Sequence, residues 1–188
     1  MMSAQPQTAY ITPEEYLVRE REAEYKSEYF DGEIFAMSGA SPAHNQIVIN
    51  IVGEMYAQFK KRPCRRVYAG DMRVKVSPTG LYTYPDVVAL CDKLRFDDEH
   101  TLLNPTVIIE VLSDSIANYD RGTKFKHYRT LDSLIEYILI AQDECHIEHY
   151  IRQANNQWIF SETSDLQETI ELPSIDCRLA LSDVYDKV

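Results

Sequence analysis

The sequence lacks the features by which several classes of protein are recognised. No apolar run approaches the ~20 residues that a membrane-spanning helix needs, and the first residues show neither the basic nor the apolar segment of a secretory signal. The few cysteines stand at positions 64, 91, 145 and 177 with no CxxC pair, which argues against a zinc ribbon or a disulfide scaffold. GxGxxG, GxSxG, HExxH and Walker motifs are also missing. We therefore expect a soluble, cytoplasmic protein with no membrane partner.

Basic residues are scarce over the chain as a whole. Lysine and arginine number 19 against 30 acidic residues, a net charge of −11, which disfavours binding to phosphates. However, eleven of the 19 basic residues lie in two short windows, 60–75 and 121–129. The total charge bears on solubility, whereas the local pattern bears on a site. A solvated basic face remains the alternative for either window.

The 188 residues suffice for one domain, and we expect a single domain over 1–188 with residues 1–10 flexible. Periodicity and capping signals predict its elements in chain order: a helix from Pro13 to about residue 22, a hairpin turning at Asp31-Gly32, a helix from Ser41-Pro42 to about residue 60, β-rich segments at 67–76 and 81–90, a strand at 105–112, a helix at 119–131, a strand at 135–141, a hairpin and a short terminal helix. This order predicts an α/β fold, with a mixed β-sheet flanked by helices.

Two acidic residues interrupt strands that are otherwise apolar. Glu110 lies inside TVIIEVL and shares a strand face with Ile108 and Leu112. Asp86 stands at the head of another apolar strand, in YPDVV. Because a buried carboxylate without a partner is costly, we expect the two acids to converge at one edge of the sheet, close enough to share a divalent cation. The alternative is that each acid caps a turn or pairs with an arginine.

The helix that follows adds a polar stripe. Asp120, Lys124 and Tyr128 are spaced four residues apart, so one helix face carries all three and can turn back over the sheet. A lysine beside two carboxylates and a metal ion can position a water molecule or neutralise developing charge. An i, i+4 ion pair with Asp120 is the ordinary explanation for Lys124.

Together these segments resemble a known family. Pro85-Asp86, the strand IIEVLS that ends at Ser113, and the pattern D-x-x-x-K-x-x-x-Y at 120–128 are similar to the Uma-type endonucleases of bacteria. That family belongs to the PD-(D/E)XK superfamily, and the resemblance implies a restriction-endonuclease-like core. In one respect the sequence departs from the superfamily motif, because Leu112 stands where the motif has lysine. The resemblance then implies a migrated lysine, with Lys124 as the match and Lys126, on another helix face, as the fallback.

The resemblance also implies roles for individual residues. Asp86 and Glu110 would hold Mg²⁺ (or Mn²⁺), with the backbone carbonyl of Val111 as a third ligand. Glu33 would supply a third acid, and His44 would form a hydrogen bond to Glu33 or to a phosphate. The ordinary alternative is that they are a hairpin acid and a helix-start histidine. DNA would be the partner, and its phosphates would contact the basic windows through Lys60, Lys61, Arg62, Arg65, Arg66, Arg73, Lys75, Arg121, Lys126 and Arg129.

Three functions are compatible with these residues. The first is a Mg²⁺-dependent endonuclease acting on DNA, in which Lys124 orients the attacking water. The second is a nuclease-fold protein that binds or regulates without cutting. The third is a hydrolase of small phosphate esters, which would tolerate the negative charge better than a DNA-binding protein. We also expect a homodimer, because two symmetric sites would cut both strands.

Overall fold

The structure is a computed structural model that describes residues 10–60, 62, 65–113 and 117–188. Lys61, which the sequence predicts to bind phosphate, and residues 1–9 of the segment expected to be flexible lie outside these residues. In the part of the chain that is described, no helix is long and apolar enough to cross a membrane.

Strands are more numerous than helices in the described part of the chain. In chain order they are β1 (Ser27–Phe30), β2 (Glu33–Ala36), β3 (Arg66–Ala69), β4 (Arg73–Val76), β5 (Leu81–Thr83), β6 (Val87–Leu90), β7 (Thr101–Leu102), β8 (Val107–Leu112), β9 (Glu136–Ala141), β10 (Ile147–Arg152), β11 (Trp158–Thr163), β12 (Thr169–Leu172) and β13 (Cys177–Ala180). The helices are α1 (Pro13–Glu22), α2 (Pro42–Phe59), α3 (Ala117–Tyr119), α4 (Phe125–Tyr128) and α5 (Leu181–Val184). A π-helical turn, Asp120–Lys124, joins α3 to α4.

The strands form two larger sheets and a separate hairpin. The first sheet has the order β2-β1-β5-β4-β7, and the second has the order β11-β10-β9-β8-β6-β3. Each contains one parallel pair, β4–β7 in the first and β8–β9 in the second, so both sheets are mixed. The predicted α/β class is confirmed. The sequence analysis anticipated one mixed sheet, because an apolar strand shows that both its faces are buried but not whether a helix or another sheet covers them.

Strand β8 separates two layers of core. Its residues Val107, Ile109 and Val111 pack in the same cluster as Ile47 and Ile51 of α2. The alternate residues, with Ile108 and Leu112 among them, pack against the first sheet and α4, in a cluster that contains Val74, Leu81 and Tyr128. Because side chains alternate along a strand, Glu110 points into this second layer, between the two sheets.

Local signals placed several elements correctly. Thr12 and Glu15 form a capping box at the start of α1, and the Ser41 hydroxyl accepts a hydrogen bond from the His44 N–H at the start of α2. The β1–β2 turn has positive φ at both Asp31 and Gly32, 48° and 87°, as a type I′ hairpin requires.

The helix expected over 119–131 differs from the regular helix that periodicity indicates. The Phe125 N–H donates to the Asp120 carbonyl, five residues earlier, and Leu131 lies beyond the helix end. Single π-turns of this kind are common at functional sites. No periodicity signal distinguishes such a turn from an α-helix in a segment this short.

Candidate active site

Asp86 and Glu110 lie side by side on neighbouring strands. Strands β6 and β8 are antiparallel, with Val87 opposite Ile109, so the preceding Asp86 lies opposite Glu110. The Asp86 N–H donates to Glu110 Oε2 at 3.3 Å, and the Val111 N–H donates to Asp86 Oδ2 at 2.7 Å. The structure thus places the two acids beside each other on neighbouring strands, and the sharing of one cation by their carboxylates stays a prediction.

His44 reaches the same carboxylate from α2. Its Nε2 lies 3.1 Å from Asp86 Oδ2, and the side chains of His44 and Asp86 are 13% and 19% exposed. The Ser41 cap fixes the first turn of α2 and therefore the place from which the imidazole extends. The sequence analysis gave Glu33 or a phosphate as the partner of His44, whereas in the structure the imidazole contacts Asp86.

Lys124 occupies the centre of an acidic cluster. Its Nζ lies 3.0 Å from Glu110 Oε1, 3.1 Å from Glu28 Oε1 and 3.5 Å from Asp120 Oδ1, and its side chain is 8% exposed. The expected i, i+4 ion pair with Asp120 is therefore one of three contacts. Lys126, the fallback lysine, is exposed on the other side of the helix.

Tyr128 completes the stripe. It is fully buried, and its hydroxyl donates to Glu110 Oε1 at 2.7 Å. The Tyr137 hydroxyl donates to the Asp120 carbonyl at 3.1 Å, on the turn that positions Lys124. Asp120, Lys124 and Tyr128 thus all point inward, although a π-turn separates the first from the last.

The cluster has an excess of negative charge. Burial raises the pKa of Glu110 to about 8, although Lys124 opposes the shift; Asp120 and Asp86 add to it. Burial also raises the pKa of Asp120 to about 6, again against the effect of Lys124. Lys124 keeps its proton because its three acidic neighbours outweigh burial and raise its pKa well above the ordinary value. A further positive charge beside these groups would stabilise the ionised forms of Glu110 and Asp120.

The donor set fits a hard divalent cation. Asp86 and Glu110 are neighbours on adjacent strands, and the Asp86 side chain is partly exposed to solvent. The Val111 carbonyl points to the same side as its N–H, toward Asp86, because both groups of a strand residue face one neighbouring strand. Mg²⁺ prefers such oxygen ligands and keeps several water molecules. Within the described residues, no group of three or more His, Cys, Asp or Glu side chains is arranged to hold a metal ion.

Sequence reasoning missed the third acid of the cluster. Glu33, which was expected in that role, is exposed on β2, whereas Glu28 on β1 is 8% exposed and contacts Lys124. The Thr83 hydroxyl, from β5 beside it, donates to Glu28 Oε1 at 2.5 Å. The available signal was the alternation of SEYF, which puts Glu28 on the same strand face as Phe30.

The predicted basic windows are largely engaged within the protein. Arg73 is buried, and it binds Thr101, Tyr84 and Asp98. It cannot reach a phosphate without leaving these partners, which corrects the expectation that it contacts DNA. Several other basic residues form ion pairs: Arg62 and Arg65 with Asp176, Lys75 with Asp97, and Arg121 with Glu148. The exposed members of the two windows that the structure describes are Lys60, Arg66, Arg121, Lys126 and Arg129.

The chain is similar to a known family and to a protein of known structure. The family model of Uma2, described as "Putative restriction endonuclease", matches residues 13–182. Two proteins of Synechocystis sp. are similar: uncharacterized protein sll1609 is 36% identical, covering 87% of this chain and 93% of its own length, and uncharacterized protein slr1290 is 31% identical, covering 93% and 91%. A crystal structure from Anabaena variabilis, of "a putative nuclease belonging to DUF820", superposes with a TM-score of 0.75 at 20% identity, covering 93% of this chain and 97% of that one. That likeness shows a shared fold.

Proposed function

The chain belongs to the Uma2 family of restriction-endonuclease-like proteins, and on that premise we propose that it is a Mg²⁺- or Mn²⁺-dependent endonuclease that hydrolyses phosphodiester bonds of DNA. The observation that carries the proposal is the cluster of Asp86, Glu110 and Lys124. The two acids lie opposite each other on neighbouring strands, the Asp86 N–H donates to Glu110 Oε2 at 3.3 Å, and the buried Lys124 ammonium lies 3.0 Å from Glu110 Oε1. The family description and the fold shared with a putative nuclease support the assignment of a nuclease activity to this cluster.

Asp86 and Glu110 would hold the cation, together with the Val111 carbonyl. When bound, such a cation lowers the pKa of a water molecule and polarises the phosphate. Lys124 would orient the attacking water and stabilise the charge that develops on phosphorus-bound oxygen. The Tyr128 hydroxyl holds Glu110 Oε1 in place, and His44 does the same for Asp86 Oδ2.

The exposed basic residues would hold the DNA. Lys60, Lys126 and Arg129 are exposed, and each contact with a phosphate would release counterions and make binding depend on salt. Because most other basic side chains are paired with acids, we expect modest affinity. Specificity for sequence would need further contacts to bases.

Incubation of supercoiled plasmid with the protein tests the proposal. We expect nicked or linear product with Mg²⁺ or Mn²⁺, none with EDTA, and none from Glu110→Ala under any of these conditions. A plasmid that stays supercoiled with every cation would contradict the proposed activity. Glu24→Gln, an exposed acid before β1, serves as a variant that should cut like the wild type.

One observation favours a second candidate, the hydrolase of small phosphate esters. The ion pairs of Arg62, Lys75 and Arg121 with acids and the net charge of −11 both reduce the attraction for a polyanion. The two candidates differ in salt dependence. DNA binding that weakens steeply with salt supports the endonuclease. Hydrolysis of a small phosphodiester such as bis-p-nitrophenyl phosphate, without measurable DNA binding, supports the alternative.

A further inference from the structure

The first sheet contributes a side chain to the cluster that the catalytic motif does not include. Glu28 lies on β1, whereas Asp86 and Glu110 are presented by the strands of the second sheet. Its carboxylate is 10% exposed and lies 3.1 Å from Lys124 Nζ. Lys124 therefore bridges the two sheets, with one carboxylate from each.

The contacts of Glu28 differ from those of Glu110. Glu110 interacts with Lys124, Tyr128 and the Asp86 N–H. Glu28 Oε1 contacts Lys124 and accepts the hydrogen bond of the Thr83 hydroxyl. Under the proposed function Glu110 would also hold the cation, so its carboxylate would divide its contacts between the cation and the Lys124 ammonium. Glu28 has no such second role in the described contacts.

Lysine needs such an anchor. Its ammonium sits on a four-carbon stem with many rotamers, and a misplacement of about 1 Å can cost about 100-fold in rate. The three ammonium protons can be satisfied by three acceptors, and here the neighbouring carboxylates are those of Glu110, Glu28 and Asp120. Thr83, fully buried on β5, fixes the orientation of the Glu28 carboxylate in turn.

We infer that Glu28, oriented by Thr83, is a positioning residue that holds the Lys124 ammonium in its working place beside Glu110. This assignment rests on the proposed function and deepens it. It makes the β1–β5 pair part of the active site, and it leaves the cation to Asp86 and Glu110.

Steady-state cleavage and Mn²⁺ titration calorimetry on the full chain test the inference. We expect Glu28→Gln to lower kcat about 100-fold, while the KM for plasmid DNA and the Mn²⁺ affinity stay within about twofold of the wild type. Thr83→Val, which keeps the shape and removes the hydroxyl, should cause a smaller loss of kcat with the same unchanged KM. Glu28→Asp, whose shorter carboxylate keeps the charge, should recover part of the rate lost in Glu28→Gln.

Glu24→Gln is the matched control, because it makes the same change at an exposed site four residues away. If Glu28→Gln fails to fold, as urea denaturation would show, Thr83→Val and Glu28→Asp carry the test. Unchanged kcat in both Glu28→Gln and Thr83→Val would overturn the inference, as would a loss of Mn²⁺ affinity in Glu28→Gln, which would make Glu28 a metal ligand. An inactive wild type would instead refute the proposed function, so the two failures are distinguishable.

Discussion

At the scale of single residues, the site is explained by the cost of buried charge. Glu110 is 3% exposed and lies in a strand whose other residues are all apolar. It is tolerated because Lys124, Tyr128 and the Asp86 N–H contact its oxygens. A buried charge is costly unless it is paired and hydrogen-bonded. For this reason an acid inside an apolar strand can be recognised from the sequence as a candidate site residue.

The role of Lys124 can be separated from that of Lys126. We expect Lys124→Ala to reduce cleavage by at least about 100-fold, because the charge beside the reacting phosphate is lost, while Mn²⁺ binding largely persists. Lys126→Ala should weaken DNA binding and leave the chemical step intact, since Lys126 is exposed. Single-turnover nicking and DNA-binding titrations on both variants measure this. If the Lys126→Ala variant were inactive and the Lys124→Ala variant fully active, Lys126 and not Lys124 would be the catalytic lysine.

Sequence reasoning could find Asp86, Glu110 and Lys124 because each breaks a local pattern: a charge in an apolar strand or a polar stripe on a helix. Glu28 breaks no pattern, because acids are common near hairpins and the residue before it, Ser27, is also polar. The contact of Glu28 is with Lys124, on the π-turn 96 positions further along the chain. Local periodicity does not encode contacts between such distant segments, and the family resemblance pointed to Glu33.

At the scale of elements, short segments carry the site. Antiparallel pairing of β6 with β8 places Asp86 opposite Glu110, the start of α2 delivers His44, and the π-turn delivers Lys124. Capping residues and the Asp31-Gly32 turn made the elements of the first half predictable. The π-turn and the β12–β13 hairpin were not, because the first has the sequence period of a helix and the second consists of two strands of only four residues each.

An ion pair between β4 and the segment before β7 gives a prediction for pH. Arg73 lies 3.1 Å from Asp98. Burial alone would raise the pKa of Asp98, but hydrogen bonds from Thr101 and His100 and the charge of Arg73 outweigh it and hold this pKa below its ordinary value of 3.8. Because the folded pKa is the lower one, the stabilisation is present above the unfolded pKa and is lost as pH falls through the folded pKa.

Asp98→Asn should therefore destabilise the protein at pH 6–7, by about 1–3 kcal/mol. The difference from the wild type should shrink as the pH falls below about 3.9. Urea denaturation at a series of pH values measures this difference in the free energy of unfolding. Asp92→Asn is the matched control, because Asp92 is exposed. A difference that is constant from pH 7 to pH 3 would mean that the charge of Asp98 contributes nothing.

At the scale of the whole molecule, the proposed active site lies between two sheets. Residues from the second sheet would hold the cation, and Glu28 of the first sheet contacts Lys124. The sequence predicted the mixed α/β class and the layer formed by α2. It did not reveal the first sheet as a separate sheet, because several strands of that sheet have only two to four residues, too short for a period-2 pattern to be distinguished from a loop.

The predicted homodimer can be tested on the same scale. Strand β11 is the edge of the second sheet, and its Ile159 and Phe160 are 54% and 49% exposed. Exposed apolar edge strands readily pair with another chain. We expect light scattering to show a dimer at micromolar concentration, which Ile159→Arg converts to a monomer and Leu166→Arg, an equal change outside β11, does not. A wild type that remains monomeric throughout this range would exclude the dimer.

The claim at the centre of this account is that Asp86 and Glu110 share one catalytic cation. Calorimetric titration of Mn²⁺ into the wild type, Asp86→Asn and Glu110→Gln tests it most directly. We predict one binding site in the wild type, lost or weakened at least about tenfold in each variant, since each removes one of only two carboxylate ligands. Glu24→Gln should bind as the wild type does. Mn²⁺ binding of unchanged affinity in both Asp86→Asn and Glu110→Gln would contradict the account.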